Sequence, residues 1–176
     1  MSRESELPVM SESGQVWKGD EIQEAKEHMV DRANDPQNVM NDKGKENKKV
    51  TQNIVFSPPV SAKVKPEDLL ESVRKTMHKK YPNHRFVVGY HNDKKDQPHV
   101  HVVFRIRDED GKRTDIRKKD LREIRTGFCE ELKLKGYDVK ATHRQQQGLN
   151  QSIRDAHSTA PKRQKGVYEV VDVGYD

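Results

Sequence analysis

Polar and apolar residues alternate with a period of two in two neighbouring stretches of this chain, residues 85–91 and 98–107. That period marks half-buried strands, because successive side chains leave opposite faces of the pleat. Phe86, Val88 and Tyr90 share one face of the first stretch, and Val100, Val102, Phe104 and Ile106 share one face of the second. Asn92 to Pro98 between them is polar and ends in proline, so the pair reads as a hairpin, with a further turn at Asp108 to Gly111. Two other stretches repeat near 3.6. Pro66, Glu67 and Asp68 open a helix with Leu69, Leu70, Val73 and Met77 on one stripe, closed before Pro82. A second helix, 118–135, presents Leu121, Ile124, Phe128 and Leu132 and is capped by Gly136.

Weaker patterns fill in the order. Thr51 to Phe56 resembles a strand stopped by Ser57-Pro58-Pro59, Tyr137 to Ala141 a short strand, and Val167 to Val173 another. An acid-rich helix over residues 19–30 places Ile22, Ala25 and Met29 on one side. Strand, helix, strand, strand, helix, strand predicts an α+β fold: a ferredoxin-like antiparallel sheet with the helices packed on one face. The expected divisions are an acidic, partly helical segment over 1–48, a core over 49–150, and a basic polar tail with a short strand over 151–176.

Composition narrows the class. Of 176 residues only 31% are hydrophobic and 36% are charged, so the core is local and part of the chain is expected not to pack. Neither a membrane-length apolar run nor a signal-peptide core is present, which predicts a cytoplasmic protein. Cys129, the one cysteine, lies in an apolar helical stripe and reads as a small core residue. Residues 1–35 hold nine acids and four bases, a net of −5, which leaves +10 on the remainder of a chain whose total is +5. A body this basic predicts a polyanionic substrate, since Lys and Arg supply most sequence-independent nucleic-acid affinity.

Three histidines carry the chemistry. His99 and His101 project from one face of their strand, and His91 ends the opposing strand, where directly opposed residues share a face. Convergent neutral imidazoles are the commonest way for a protein to hold a divalent transition metal, and three ligands leave positions open for water or substrate. Asp93 is placed to fix a histidine tautomer from behind, or to ligate; Asp is equally an ordinary loop residue. His78, His84 and His143 are scattered and read as surface residues, so no fourth ligand argues for a structural zinc. Asn53 is expected on the open face near the metal, and Gly89 either lets a bulky substrate approach the sheet or marks a bulge.

His91-Asn92-Asp93 followed by Pro98-His99-Val100-His101 resembles the metal-site motif of the HUH endonucleases, specifically plasmid mobilisation relaxases of the MobA/MobL and T-DNA border-nicking kind. Gly136-Tyr137-Asp138-Val139 and the run Ala141 to Gly148 resemble the strand and polar turn downstream of that site, so the likeness covers residues 50–150. The resemblance implies an HUH nuclease core in which His91, His99 and His101 ligate Mg or Mn, with Asp93 orienting a ligating histidine from behind for catalysis. It implies a reaction too: a tyrosine attacks a phosphodiester of single-stranded DNA at a plasmid origin of transfer, in conjugation, alongside accessory relaxosome proteins. Imidazole-rich sites favour softer ions than Mg, so Zn or another transition ion also suits the ligand set.

The chain departs from the family in its nucleophile. Relaxases of this type carry the tyrosine near the N-terminus, whereas here no tyrosine precedes Tyr81, so the nucleophile segment is expected to be missing. A rival reading, a rolling-circle replication initiator or transposase, takes Tyr137 as the nucleophile. Another is a non-catalytic nucleic-acid-binding module, which the lack of paired exposed aromatics on the central strands argues against. DNA contacts are expected from Asn53, Arg105, Arg113, Arg117, Lys118, Lys119, Arg144, Arg154, Lys162 and Arg163.

Overall fold

The computed structural model describes residues 8–30, 50–92, 98–141 and 172–175. Its elements in chain order are β1 (Val9–Ser11), β2 (Val16–Trp17), α1 (Ile22–His28), β3 (Thr51–Ser57), α2 (Pro66–Lys80), β4 (Phe86–His91), β5 (His99–Arg105), α3 (Lys118–Leu134) and β6 (Asp172–Tyr175). The six strands form one antiparallel sheet in the order β2-β1-β4-β5-β3-β6. Taken alone, β3 to β6 with α2 and α3 have the βαββαβ order and interleaved strands of a ferredoxin-like sheet, as the sequence pattern predicts.

The helices form for the expected reasons. Pro66 occupies the first turn of α2 beside Glu67 and Asp68, and His78, Lys79 and Lys80 fill the last, each sign matching the helix dipole. Gly136 ends α3 with φ of +90°, a conformation that a side chain would strain. Together α2 and α3 cover the sheet face that carries Ile54, Phe56, Phe86, Val88, Val100, Val102 and Phe104, all of them fully buried. Phe56 meets Phe128 of α3 edge to face, with ring centroids 5.1 Å apart.

Three features differ from expectation. Residues 137–141 form no continuous strand, only a single β-bridge at Lys140: Val139 plugs into the core, its carbonyl accepting from the Cys129 thiol, while the free side of β3 is taken by β6. The last strand spans residues 172–175; the part of the predicted Val167–Val173 strand before it lies outside the described residues. The acidic N-terminal segment also contributes directly to the sheet, because Val9, Met10 and Ser11 pair with Gly89, Val88 and Val87 of β4. Strands of three and two residues are too short to leave a readable alternation.

The second sheet face is not bare along its whole length. Alternation sets Val87, Gly89 and His91 of β4 with His99, His101, Val103 and Arg105 of β5 on that side. Over its Arg105 end lies α1, preceded by a turn of 3₁₀ helix at Gly19–Glu21, with Ala25 buried and His28 against the Trp17 ring at 5.3 Å. Two arginines hold it there. Arg105 donates to the Met29 carbonyl at 2.6 Å, and Arg85 to the His28 and Val30 carbonyls at 3.4 Å, satisfying acceptors that the end of a helix leaves open.

Candidate metal centre

His91 and His99 are directly opposed across the β4–β5 ladder, and His101 is opposed to Gly89. Cross-strand neighbours on one face stand close enough for side chains to meet, so this register alone brings the three rings together. The ring centroids are 5.1 Å (His91–His99), 5.8 Å (His91–His101) and 4.9 Å (His99–His101) apart. Nδ1 of His91 lies 3.2 Å from Nε2 of His99, and one nitrogen from each of the three rings lies within 4.8 Å of the others. Ligands at about 2.1 Å from a shared ion are separated by about 3.0–3.4 Å, a spacing that the His91–His99 pair already has. His91 is exposed and the other two are half-buried, so solvent or a ligand reaches the cluster from above.

Asn53 stands on the same face, exposed, opposite Val103 rather than opposite a histidine. Asp93 lies outside the described residues, as do Arg144, Arg154, Lys162 and Arg163. Gly89 sits in unbroken register between Val88–Val102 and Tyr90–Val100, which excludes the bulge alternative.

Arg105 corrects an expectation. It is 2% exposed, and its guanidinium is spent on the carbonyl of Met29 beneath α1, so no face is left for a phosphate. Arg113, Arg117, Lys118 and Lys119 are exposed but are not gathered to the histidines. They flank the start of α3, at the sheet end where β5 finishes, and β5 alone spans about 20 Å from His99 to Arg105 at a strand rise of about 3.3 Å. Arg113 also reaches Asp115 at 3.4 Å, and the Arg117 N–H donates to Asp120 at 2.8 Å.

The tyrosines are placed by what they touch. The Tyr137 hydroxyl donates to Asp68 at 2.5 Å and accepts from the Lys65 N–H at 3.2 Å, pinning the start of α2 on the helical side of the sheet. The bond to Asp68 pushes its hydroxyl above the ordinary tyrosine range, the opposite of what a nucleophile needs. Tyr90 packs against the core, and burial likewise raises its hydroxyl. Tyr81 is 8% exposed beside His84 and Phe104. Tyr175 lies opposite Ile54 in β6, and Tyr168 is outside the described residues.

His84, expected at the surface, is a core residue. Nδ1 pairs with the Arg105 carbonyl and Nε2 with the Thr114 hydroxyl, each at 3.0 Å, while the ring stacks on Phe104. Burial holds it below the ordinary imidazole value, and the histidine thereby fixes the backbone at the end of β5. Only its place directly before an alternating strand hinted at this role. Exposed His78 agrees with expectation, and His143 lies outside the described residues.

Among the described helices none is long and apolar enough to cross a membrane. A family model described as "Relaxase: MobA/VirD2-like, nuclease domain" matches residues 9–136, from the first residue of β1 to the glycine that caps α3. No curated protein and no solved structure matches the chain.

Proposed function

Because the chain belongs to the MobA/VirD2-like relaxase nuclease family, whose members nick DNA, we propose that it engages single-stranded DNA at a plasmid origin of transfer through a divalent ion held by His91, His99 and His101. The observation that carries this reading is the convergence of three imidazoles, their ligand atoms within 4.8 Å, on an accessible sheet face of a protein in that family. The donor set fits Mn or Zn at least as well as Mg, because neutral imidazole suits borderline ions. Such an ion supplies Lewis-acid polarisation of the phosphate.

The chain's own residues divide the remaining work. The two interior strands fix the direction of the rings, and Asn53 offers an amide beside the path of the strand. In the reaction that the family resemblance implies, a tyrosine oxygen bonds to phosphorus as the bond to the departing 3′ oxygen breaks, and the tyrosine proton must pass to a base. None of Tyr81, Tyr90 and Tyr137 presents its hydroxyl on the histidine face. We therefore assign this chain metal and strand binding, in the cytoplasm and with relaxosome partners, and give none of these three tyrosines the attacking role. The initiator alternative loses support, since Tyr137 is committed to Asp68 and Lys65. Arg113, Arg117, Lys118 and Lys119 would reach only a longer strand.

The test uses the full chain with labelled single-stranded oligonucleotides, with and without Mn(II), and His99→Ala as the control. Expected are retention that needs Mn(II) and His99, and no denaturant-resistant covalent product. Mn-independent binding unaffected by His99→Ala refutes the metal role, and a covalent product refutes the assignment of the tyrosine.

A further inference from the structure

The open face beside the histidines has one gap. On that face Gly89 is opposed by Val9 on β1 and His101 on β5, with Val87 and His91 beside it on β4 and Val103 and His99 diagonal to it on β5, and the three valines are β-branched residues that suit a strand. Gly89 interrupts this set at the position directly opposite His101. Among the described residues nothing requires a glycine there. Its backbone φ is not positive, the register runs through without a bulge, and of the described residues a Cβ placed on it would meet only Val9 Cγ2, at an ordinary 3.8 Å. Glycine inside a strand weakens it, so a residue that gains the fold nothing needs another reason.

Geometry supplies one. The strands flanking Gly89 carry Val9 on β1 and His101 on β5, with backbones about 10 Å apart, and between these two side chains the missing Cβ leaves a notch bordered by Val9 Cγ2. It lies on the same face as His91 and His99, Gly89 being partly exposed, and is floored by main chain rather than by a side chain. We propose that Gly89 is a specificity-determining residue, whose missing side chain seats the deoxyribose of the nucleotide adjoining the phosphate held over the histidines. This inference rests on the metal and DNA reading above. A sugar pressed against bare backbone favours a single strand, whose units can enter one at a time, over a duplex too broad for the notch.

The experiment measures three quantities on the full chain and on Gly89→Ala and Gly89→Val: the thermal midpoint, Mn(II) affinity by titration, and affinity for a labelled single-stranded oligonucleotide in saturating Mn(II). Expected are midpoints equal to or above the parent, Mn(II) affinity within about twofold, and DNA affinity lowered by about threefold for Ala and about tenfold for Val. Parent-like DNA affinity in a folded, metal-binding Gly89→Val overturns the proposal. So does loss of Mn(II) affinity in step with DNA affinity, which would assign the space to the His101 ring. A parent that binds no DNA with Mn(II) present sinks the relaxase reading itself and this inference with it, an outcome visible before any variant is made. If Gly89→Val does not fold, Gly89→Ala carries the same comparison, since the position admits a Cβ without a clash.

Discussion

Arg105→Ala should cost stability and leave DNA affinity alone. Nη1 of Arg105 donates to the Met29 carbonyl at 2.6 Å in a site 2% exposed. A hydrogen bond from a charged group is worth about 1.5–3 kcal/mol, and an imperfectly refilled space adds about 1–2 kcal/mol. Releasing a cation from burial returns part of this, so the net loss is about 2–4 kcal/mol, a large share of a typical 5–15 kcal/mol domain stability by rough measure. The chain carries its own probe: Trp17, the single tryptophan, is 3% exposed and packs on His28 of α1. Urea unfolding followed by its fluorescence should show a lower midpoint for Arg105→Ala, with native-state emission shifted to the red as α1 loosens. In parallel, the slope of log affinity for single-stranded DNA against log salt should be unchanged. An unaltered midpoint together with a slope reduced by about 0.7, the value for one lost phosphate contact on a single strand, would refute the reasoning and restore Arg105 as a DNA ligand.

Further outcomes follow from His84 and Tyr137. Burial holds His84 below its ordinary value near 6.5, so its contribution to stability is full above that pH and is lost as pH falls below it. Urea midpoints of the ion-free protein between about pH 7 and 5 should fall more steeply for the parent than for His84→Gln; parallel curves would contradict the burial argument. Tyr137→Phe removes two hydrogen bonds at the start of α2 and should cost about 1–2 kcal/mol while leaving Mn-dependent DNA binding intact. The Asp68 bond holds the Tyr137 hydroxyl above the usual value near 10, so the stability it confers is present below that pH and lost on the alkaline side. Tyr137→Phe should flatten that alkaline decline, and loss of DNA binding in this variant would revive the initiator reading.

The histidine site was legible because one physical rule produces it. Alternation in β4 and β5 fixes the facing of His91, His99 and His101, and a short connection fixes the register that sets His91 against His99. The helices were legible through Pro66, Gly136 and the stripes between them. What alternation does not reveal is which end of an open face a later-arriving element covers. Arg105 and His84 look like surface residues in the sequence because their partners are distant in it: the Arg105 carbonyl and Thr114 hydroxyl that meet His84 are 21 and 30 residues on, and the Met29 carbonyl that takes Arg105 is 76 residues back. Val139 misled in the opposite sense, since one buried apolar residue between polar neighbours reads as a full strand, whereas the segment makes only a single bridge at Lys140.

Pairing of Val9–Ser11 along β4 has a practical consequence for anyone shortening the protein. A chain trimmed to residue 49 onward keeps every proposed ion ligand but strips one flank of the strand that bears His91. The uncovered N–H and C=O groups would then offer a template to the same strand of another molecule. Such a fragment should self-associate edge to edge, and its poor behaviour in solution would say nothing about the chemistry of the intact protein.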